Sequence, residues 1–161
     1  MLCVEMSIRY AHTNIVAKDW RKLAEFYTKV LECEPVPPER DYEGEGIGKI
    51  AGIPYEQSKR LKGQHLRLPG HGPEGPTLEI FQYEPDGPKF DIQSNTMGFS
   101  HIAFVVDDVK AVAAQFIEWG GKEVGEYTEM DVEGAGHIVL HYLSDPEGNI
   151  VELQTWTPLG G

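Results

Sequence analysis

The chain has 161 residues, of which 40% are hydrophobic, and a formal net charge of -12 at pH 7. This length and hydrophobic content are typical of one globular domain, or of two small modules that share a core. The acidic balance argues against nucleic-acid binding, which needs Lys and Arg to neutralise phosphates, and against binding to anionic membrane surfaces.

Signals for export or membrane insertion are not evident in the sequence. No apolar run approaches the roughly 20 residues that a membrane helix needs, and the segment Met1–Ser7 has no secretion-signal pattern. The two cysteines, Cys3 and Cys33, lie far apart and predict neither a disulfide framework nor a CxxC motif. We therefore expect a cytoplasmic protein.

The first half of the chain predicts a strand at Tyr10–Val16 and then a helix that Asp19 caps. Apolar residues follow Asp19 at helical spacings, namely Trp20, Leu23, Ala24, Tyr27, Val30 and Leu31. The helix should end by Glu34, because Pro35 disfavours a helical residue before it. Further strands are predicted near Gly46–Ile50, Gln64–Leu68 and Thr77–Tyr83.

The segment Pro35–Gly63 is long and polar, with scattered Gly and Pro. Segments of this kind in compact domains are often lids or binding loops. The alternative is a surface excursion, with a short helix around Tyr55–Leu61.

The second half repeats the order of the first. A strand at Ser100–Val106 precedes a helix that Asp108 caps and that Gly120-Gly121 ends. Strands are predicted near Glu123–Tyr127, Gly136–Leu143 and Asn149–Trp156. The order βαβββ therefore occurs twice, in modules 8–84 and 97–157 joined by linker 85–96, within a single domain that spans residues 1–161.

The repeat returns one His and one Glu at matching places in each module. His12 and His101 lie in the first strands, and Glu79 and Glu152 lie among apolar residues in the last strands. Because side chains alternate along a strand, the two carboxylates point away from the apolar neighbours that face the helix layer. Burying unpaired carboxylates is costly, and a divalent cation completed by imidazoles removes that cost. The alternative to a metal site is that the four are ordinary polar residues on solvated sheet faces. The repeat favours one metal site, which would bind Zn, Ni, Co, Fe(II) or Mn.

The same alternation predicts which side chains accompany the candidate ligands. It places His65 and Arg67 on the face of the sheet away from the helices, which we call the cleft side. In the second half it assigns His137, Val139 and His141 to the cleft side and Tyr142 to the helix side. Arg67 is either an anion-binding residue or a surface arginine with a packed stem. The candidate substrate-binding residues are Arg67, Asn14, Phe81, Gln154, Trp156 and His141.

Four segments carry a resemblance to a known family, over about residues 8–157. They are Tyr10–Val16, Ala24–Leu31, Gly98–Asp108 and Ser144–Leu153, and the last contains an Asp-Pro-x-Gly-Asn turn that sets the register of the final strand. The chain resembles the vicinal oxygen chelate superfamily, which has the glyoxalase/bleomycin resistance/extradiol dioxygenase fold.

The resemblance implies an α+β fold in which two βαβββ modules form a cupped eight-stranded mixed sheet with helices on the outside. It also implies one divalent metal, with His12, Glu79, His101 and Glu152 at the ligand positions of glyoxalase I-like members. The substrate would be a small molecule that chelates the metal through vicinal oxygens, and the chain would form a homodimer. No organic cofactor is evident.

The chemistry implied is that of a glyoxalase-like lyase or an isomerase (epimerase). A proton is removed next to a carbonyl group, and the metal stabilises the resulting enediolate or enolate. Glu152 or Glu79 is the catalytic base, and the sequence does not choose between them. Two alternatives remain open: an Fe(II) extradiol-type dioxygenase, and a small-molecule-binding or resistance protein without catalysis.

Overall fold

The computed structural model describes residues 8–159. The segment Met1–Ser7, with Cys3, lies outside this range. The described chain divides into two compact units. The first contains the residues up to Ala24 and Glu32–Asp86, and the second contains Glu25–Leu31 and the residues from Gly87 onward.

The first unit is built on a four-stranded mixed sheet. Its elements are β1 (His12–Val16), the start of α1 (Trp20–Leu31), β2 (Glu34–Glu43), α2 (Glu45–Ala51), a 3-10 turn (Tyr55–Gln57), β3 (Arg60–Arg67) and β4 (Thr77–Glu84). The strand order is β1-β4-β3-β2, with β1 parallel to β4 and the other pairs antiparallel. Leu66, Leu78 and Ile80 are buried on one face of this sheet.

The second unit is built on a five-stranded mixed sheet. Its elements after α1 are β5 (His101–Val105), α3 (Val109–Glu118), β6 (Lys122–Glu123), β7 (Thr128–Val132), β8 (Gly136–Ser144) and β9 (Ile150–Thr157). The order is β5-β9-β8-β6, β7 also pairs with β8, and β5 is parallel to β9. Leu143, Val151 and Leu153 form the buried face.

The expected α+β class with a repeated βαβββ order is confirmed, and residues 8–159 contain nine strands hydrogen-bonded as two sheets. The ninth strand arises because the predicted strand Glu123–Tyr127 is divided. The backbone N–H groups of Val124 and Gly125 both donate to the carbonyl oxygen of Tyr142. Such a bulge interrupts the pairing, so β6 and β7 pair with opposite ends of β8.

Both predicted helix caps are present. The carboxylate of Asp19 accepts a hydrogen bond from the backbone N–H of Lys22 at 3.2 Å, and that of Asp108 accepts one from Ala111 at 2.9 Å. These bonds satisfy backbone donors that the first helical turn leaves unpaired. The first helix ends at Leu31, earlier than Glu34, because Glu32 adopts a left-handed conformation with φ 55°.

The predicted strand Gly46–Ile50 is wrong, because these residues lie in helix α2. Gly52 adopts the left-handed conformation that commonly ends a helix, and helix α2 stops before it. Inside the helix, Gly48 lies so close to the backbone of Ile53 that a Cβ atom would approach its carbonyl oxygen to 2.5 Å.

Strand β2 was not predicted, because Pro35, Pro37 and Pro38 indicated a loop. The strand lies at the edge of its sheet, where proline is tolerated because the missing N–H need not pair. Its register shifts between Val36 and Arg40. Much of the expected insert Pro35–Gly63 is therefore regular structure, with β2, α2 and the start of β3.

The Asp-Pro-x-Gly-Asn turn before β9 is fixed by one buried carboxylate. Asp145 is 1% exposed and accepts hydrogen bonds from the backbone N–H groups of Glu147 and Asn149, from the Asn149 side chain and from the Tyr27 hydroxyl, at 2.8–2.9 Å. Burial raises the pKa of Asp145, against the lowering effect of these bonds. Tyr27 lies on the part of α1 that belongs to the second unit, so the turn is fastened to this helix.

Replacement of Asp145 by Ala is expected to lower the free energy of unfolding by about 3 kcal/mol, because four donors lose a buried acceptor. Urea unfolding measures the change through the transition midpoint. Asp91→Ala, at an exposed linker carboxylate, is the control and should change stability by less than about 0.5 kcal/mol. Equal midpoints for the two variants would contradict the role of Asp145.

The buried Cys33 is not a reactive thiol at neutral pH, because burial raises its pKa to about 12. None of the helices within residues 8–159 is long and apolar enough to span a membrane.

Candidate metal centre

Strand pairing in the first unit brings two histidines to one glutamate. Glu79 on β4 lies opposite His65 on antiparallel β3 and opposite Asn14 on parallel β1, and His12 lies two residues before Asn14. Residues directly opposite each other share a face, as do alternate residues on one strand. All four side chains therefore lie on the face away from Leu78 and Ile80.

The carboxylate of Glu79 is held at both oxygens. Its Oε1 accepts a hydrogen bond from Nδ2 of Asn14 at 2.9 Å, and its Oε2 lies 2.6 Å from Nε2 of His65. His12 Nε2 lies 3.7 Å from Oε1. Glu79 is only 9% exposed, so a neighbouring positive charge or cation offsets the cost of burying its charge.

His65 is oriented by a second contact. Its Nδ1 lies 2.8 Å from Oγ1 of Thr77, which leaves Nε2 directed at Glu79. Burial lowers the pKa of His65, and the positive charges of Arg40 and His12 act in the same direction against the raising effect of Glu79. The lowered pKa favours the neutral imidazole, which is the form that ligates metals.

The three residues fit a divalent metal. Ligand atoms of His12, His65 and Glu79 all lie within 4.8 Å of one another. Ligands bound at about 2.0–2.2 Å to one ion lie roughly 3–3.5 Å apart, and the 2.6 Å and 3.7 Å separations to Glu79 bracket this value. Thr77 would accept the Nδ1 proton of His65, as residues behind metal-bound imidazoles commonly do.

The second unit contains the counterpart of this arrangement. His101 Nε2 lies 3.1 Å from Oε2 of Glu152. Tyr142 takes the place of His65, because it lies opposite Glu152 as His65 lies opposite Glu79, and its ring centroid is 4.9 Å from that of His101. Burial raises the pKa of Tyr142, and the charge of Glu152 and a hydrogen bond to it act in the same direction.

The prediction that His12, Glu79, His101 and Glu152 share one ion stays a prediction. The structure shows a His–Glu pair in each unit. It adds His65 to the first pair. Side-chain alternation predicted His65 on the same side as Glu79, but His65 was not predicted to be a ligand. Pairing β3 with β4 residue by residue would have identified it, because His65 lies directly opposite Glu79.

The predicted substrate-binding residues of the first unit, Asn14, Phe81 and Arg67, lie on the face of Glu79. The Phe81 ring lies edge-on to His65 with centroids 6.3 Å apart. It also covers Gly63, where a Cβ atom would approach its ring to 2.5 Å. Arg67 lies opposite Thr77.

In the second unit, Gln154 and Trp156 follow Glu152 on its face, and the Trp156 indole N–H donates to the Gln154 side-chain oxygen. The side-chain orientation predicted for β8 is wrong, because Tyr142 and not His141 lies opposite Glu152. His141 lies opposite buried Leu153, is itself buried, and its Nε2 lies 3.0 Å from the carbonyl oxygen of Gly125. Tyr142 takes the place beside Glu152 that the sequence analysis gave to His141, because both faces of β8 carry apolar residues.

The fold is similar to those of several solved proteins. A glyoxalase family protein from Bacillus cereus has a TM-score of 0.78 at 18% identity, covering 99% of this chain and 100% of that chain. The fosfomycin resistance protein FosX from Listeria monocytogenes has a TM-score of 0.57 at 16% identity, covering 94% and 95%. A glyoxalase I mutant from Zea mays has a TM-score of 0.60 at 25% identity, covering 91% of this chain and 44% of that chain.

No curated protein matches the sequence. The sequence does match a protein family along most of its length, over residues 9–153. This span includes His12, Glu79, His101 and Glu152 in both copies of the repeat. The chain belongs to the glyoxalase/bleomycin resistance protein/dioxygenase superfamily.

Proposed function

We propose that the protein is a metal-dependent enzyme of the glyoxalase type, a lyase or isomerase that removes a proton next to a carbonyl group. The observation that carries the proposal is the His12–His65–Glu79 cluster, whose ligand atoms lie within 4.8 Å of one another. A divalent metal held there would polarise a substrate carbonyl oxygen and stabilise the negative charge that proton removal leaves on it. The substrate would be a small molecule with vicinal oxygens.

The two glutamates are assigned different roles. Asn14 donates to one oxygen of Glu79, and His65 lies against the other, which supports a ligand role for this carboxylate. Glu152 lies opposite Ala103, which offers no counterpart of the Asn14 amide donor, and its contacts are His101 Nε2 at 3.1 Å and the Tyr142 hydroxyl. We assign Glu152 as the base, because a base must exchange a proton with the substrate. The protonated hydroxyl of Tyr142 would support the charged form of Glu152 through its hydrogen bond.

The test is metal analysis of the purified protein, followed by chelation and reconstitution with Ni, Co, Zn, Mn and Fe(II). We expect one ion per chain, and we expect proton exchange or turnover in a panel of α-hydroxycarbonyl and thioester substrates to stop on chelation and return with metal. Absence of bound metal under every condition would refute the proposal. Ligand binding that is indifferent to chelators would instead support a binding or resistance protein.

One observation favours a second candidate function. His12, His65 and Glu79 form a two-His, one-carboxylate set, which is typical of Fe(II) oxygenases that keep open coordination positions. An extradiol-type dioxygenase would cleave catechol rings, lose activity in air and recover it with reducing agent. Catechol cleavage with Fe(II), without proton exchange in the first panel, would select this function. The homodimer and the cytoplasmic location expected from the sequence stay predictions.

A further inference from the structure

Two arginines share the sheet face of the candidate metal centre. Arg67 lies opposite Thr77, one row from the pair His65–Glu79 on the same face. Arg40 lies on the other side of that pair, opposite Gly63, which in turn lies opposite Phe81. Both side chains are half-buried, and the strand register places them on either side of the cluster along the strands.

Neither arginine has an acidic partner in the described part of the chain. No carboxylate of residues 8–159 lies within 4.0 Å of a guanidinium nitrogen of Arg40 or Arg67, although Glu34 lies opposite Arg67 on β2. The Nε atom of Arg67 is buried and has no hydrogen-bond acceptor there. The Arg40 guanidinium donates to the carbonyl oxygen of Pro38. A buried guanidinium N–H without an acceptor is costly, so a missing ligand is a physical explanation.

Cations on the opposite face of the same sheet are paired. Arg60 Nε lies 2.7 Å from Asp41 and 3.3 Å from Glu43, and Lys62 Nζ lies 2.6 Å from Glu84. Within residues 8–159, Arg40 and Arg67 therefore differ from these two cations of the same sheet in having no carboxylate partner.

Duplication does not account for the two arginines. Thr77 and Ile150 are equivalent in the two modules, because they pair with His12 and His101. Ser144 lies opposite Ile150 and therefore occupies the position of Arg67, which lies opposite Thr77. Thr128 takes the position of Arg40, because it lies opposite Leu140. Both arginines are thus features of the first unit and not of the repeat.

We propose that Arg67 and Arg40 form an oxoanion subsite beside the His12–His65–Glu79 cluster, which binds a carboxylate or phosphate group of the substrate. This inference rests on the proposed function and adds to it the substrate class, a small anionic carbonyl compound. Guanidinium groups suit the task because they are always charged and offer planar, paired donors to oxoanions. Arg40 also places a positive charge near His65, as its effect on that imidazole indicates.

The subsite is tested on the metal-free full-length protein, so that the outcome does not depend on the metal. Inorganic phosphate and acetate are titrated at low salt while amide shifts are followed by NMR. We expect saturable binding of at least one anion, with shifts centred on β2 and β3. Arg67→Met and Arg40→Met should each weaken binding about 10-fold or more, because a charged hydrogen-bond donor is lost. The anion that binds more tightly identifies the substrate group.

Arg21→Met is the matched control, because it removes the same charge from the first unit at an exposed arginine already paired with Glu39. It should leave anion binding unchanged. Arg67→Lys keeps the charge and the stem, and it should give intermediate binding even if Arg67→Met fails to fold. Absence of saturable binding to the wild-type protein, or equal binding by all variants, would overturn the subsite.

A parallel Co(II) titration separates this inference from the proposed function. We expect Arg67→Met and Arg40→Met to bind Co(II) within about threefold of wild type, because neither residue supplies a ligand. Anion binding without any metal binding would keep the subsite and refute the enzyme proposal. Metal binding without anion binding would refute the subsite and keep the enzyme proposal.

Discussion

Replacement of Glu152 by Gln is expected to lower turnover about 10²- to 10⁴-fold while metal remains bound, because the amide cannot accept the substrate proton. Replacement of Glu79 by Gln should instead weaken metal binding about 10-fold or more, because the anionic ligand is lost while the amide oxygen can still accept the Asn14 hydrogen bond. Steady-state kinetics on the active substrate and metal titration of both variants measure the two effects separately.

Glu84→Gln is a suitable control for these variants. Glu84 is on the same strand as Glu79, but its partner is Lys62 on the opposite face of the sheet. We expect unchanged metal affinity and turnover. Full activity of Glu152→Gln would refute its assignment as the base, and unchanged metal affinity of Glu79→Gln would refute its assignment as a ligand.

Replacement of His65 by Ala is expected to weaken metal binding about 10- to 100-fold. The imidazole Nε2 lies 2.6 Å from Glu79 and within 4.8 Å of the His12 ligand atom, so its loss removes one of three donors. Thr77→Val should have a smaller effect, of about 10-fold or less, because it removes only the partner of Nδ1. Competition with a chromophoric chelator measures both affinities.

His137→Ala is the matched control, because His137 is a histidine of the other unit that contacts Asp131 at 2.7 Å. Its metal affinity should equal that of wild type. The outcome for His65 also separates two descriptions of the site. If the four residues His12, Glu79, His101 and Glu152 alone bind the ion, His65→Ala leaves the affinity nearly unchanged, and our inclusion of His65 would be wrong.

The sequence predicted well where local signals are strong. The helix caps Asp19 and Asp108 were identified because Asp is a preferred N-cap residue and each precedes an apolar pattern with helical spacing. Strands β3, β4, β8 and β9 were located because their alternation or apolar character is sustained over eight or nine residues. The repeat then paired His12 with His101 and Glu79 with Glu152, and the match to the superfamily confirmed the family.

Prediction failed where local preference conflicted with position in the sheet. Three prolines indicated a loop at β2, but an edge strand accepts proline because one side of its backbone need not pair. The short segment Gly46–Ile50 carried too few apolar residues to distinguish a strand from the helix α2. The bulge at Val124 and Gly125 depends on their shared acceptor at Tyr142, which is distant in sequence.

Some features of the candidate site were also predictable from local sequence, and others were not. Sequence alternation sufficed to place Glu79 and Phe81 on the face opposite Leu78 and Ile80, because the side-chain period of a strand is two residues. It could not orient β8, where apolar residues occur on both faces. The predicted faces of Tyr142 and His141 were therefore the reverse of those observed. Only the register between three strands shows that His12, His65 and Glu79 lie together. Only the positions of the carboxylates in residues 8–159 show that Arg40 and Arg67 have no acidic partner there. Such properties depend on long-range packing, which no local pattern of residues encodes.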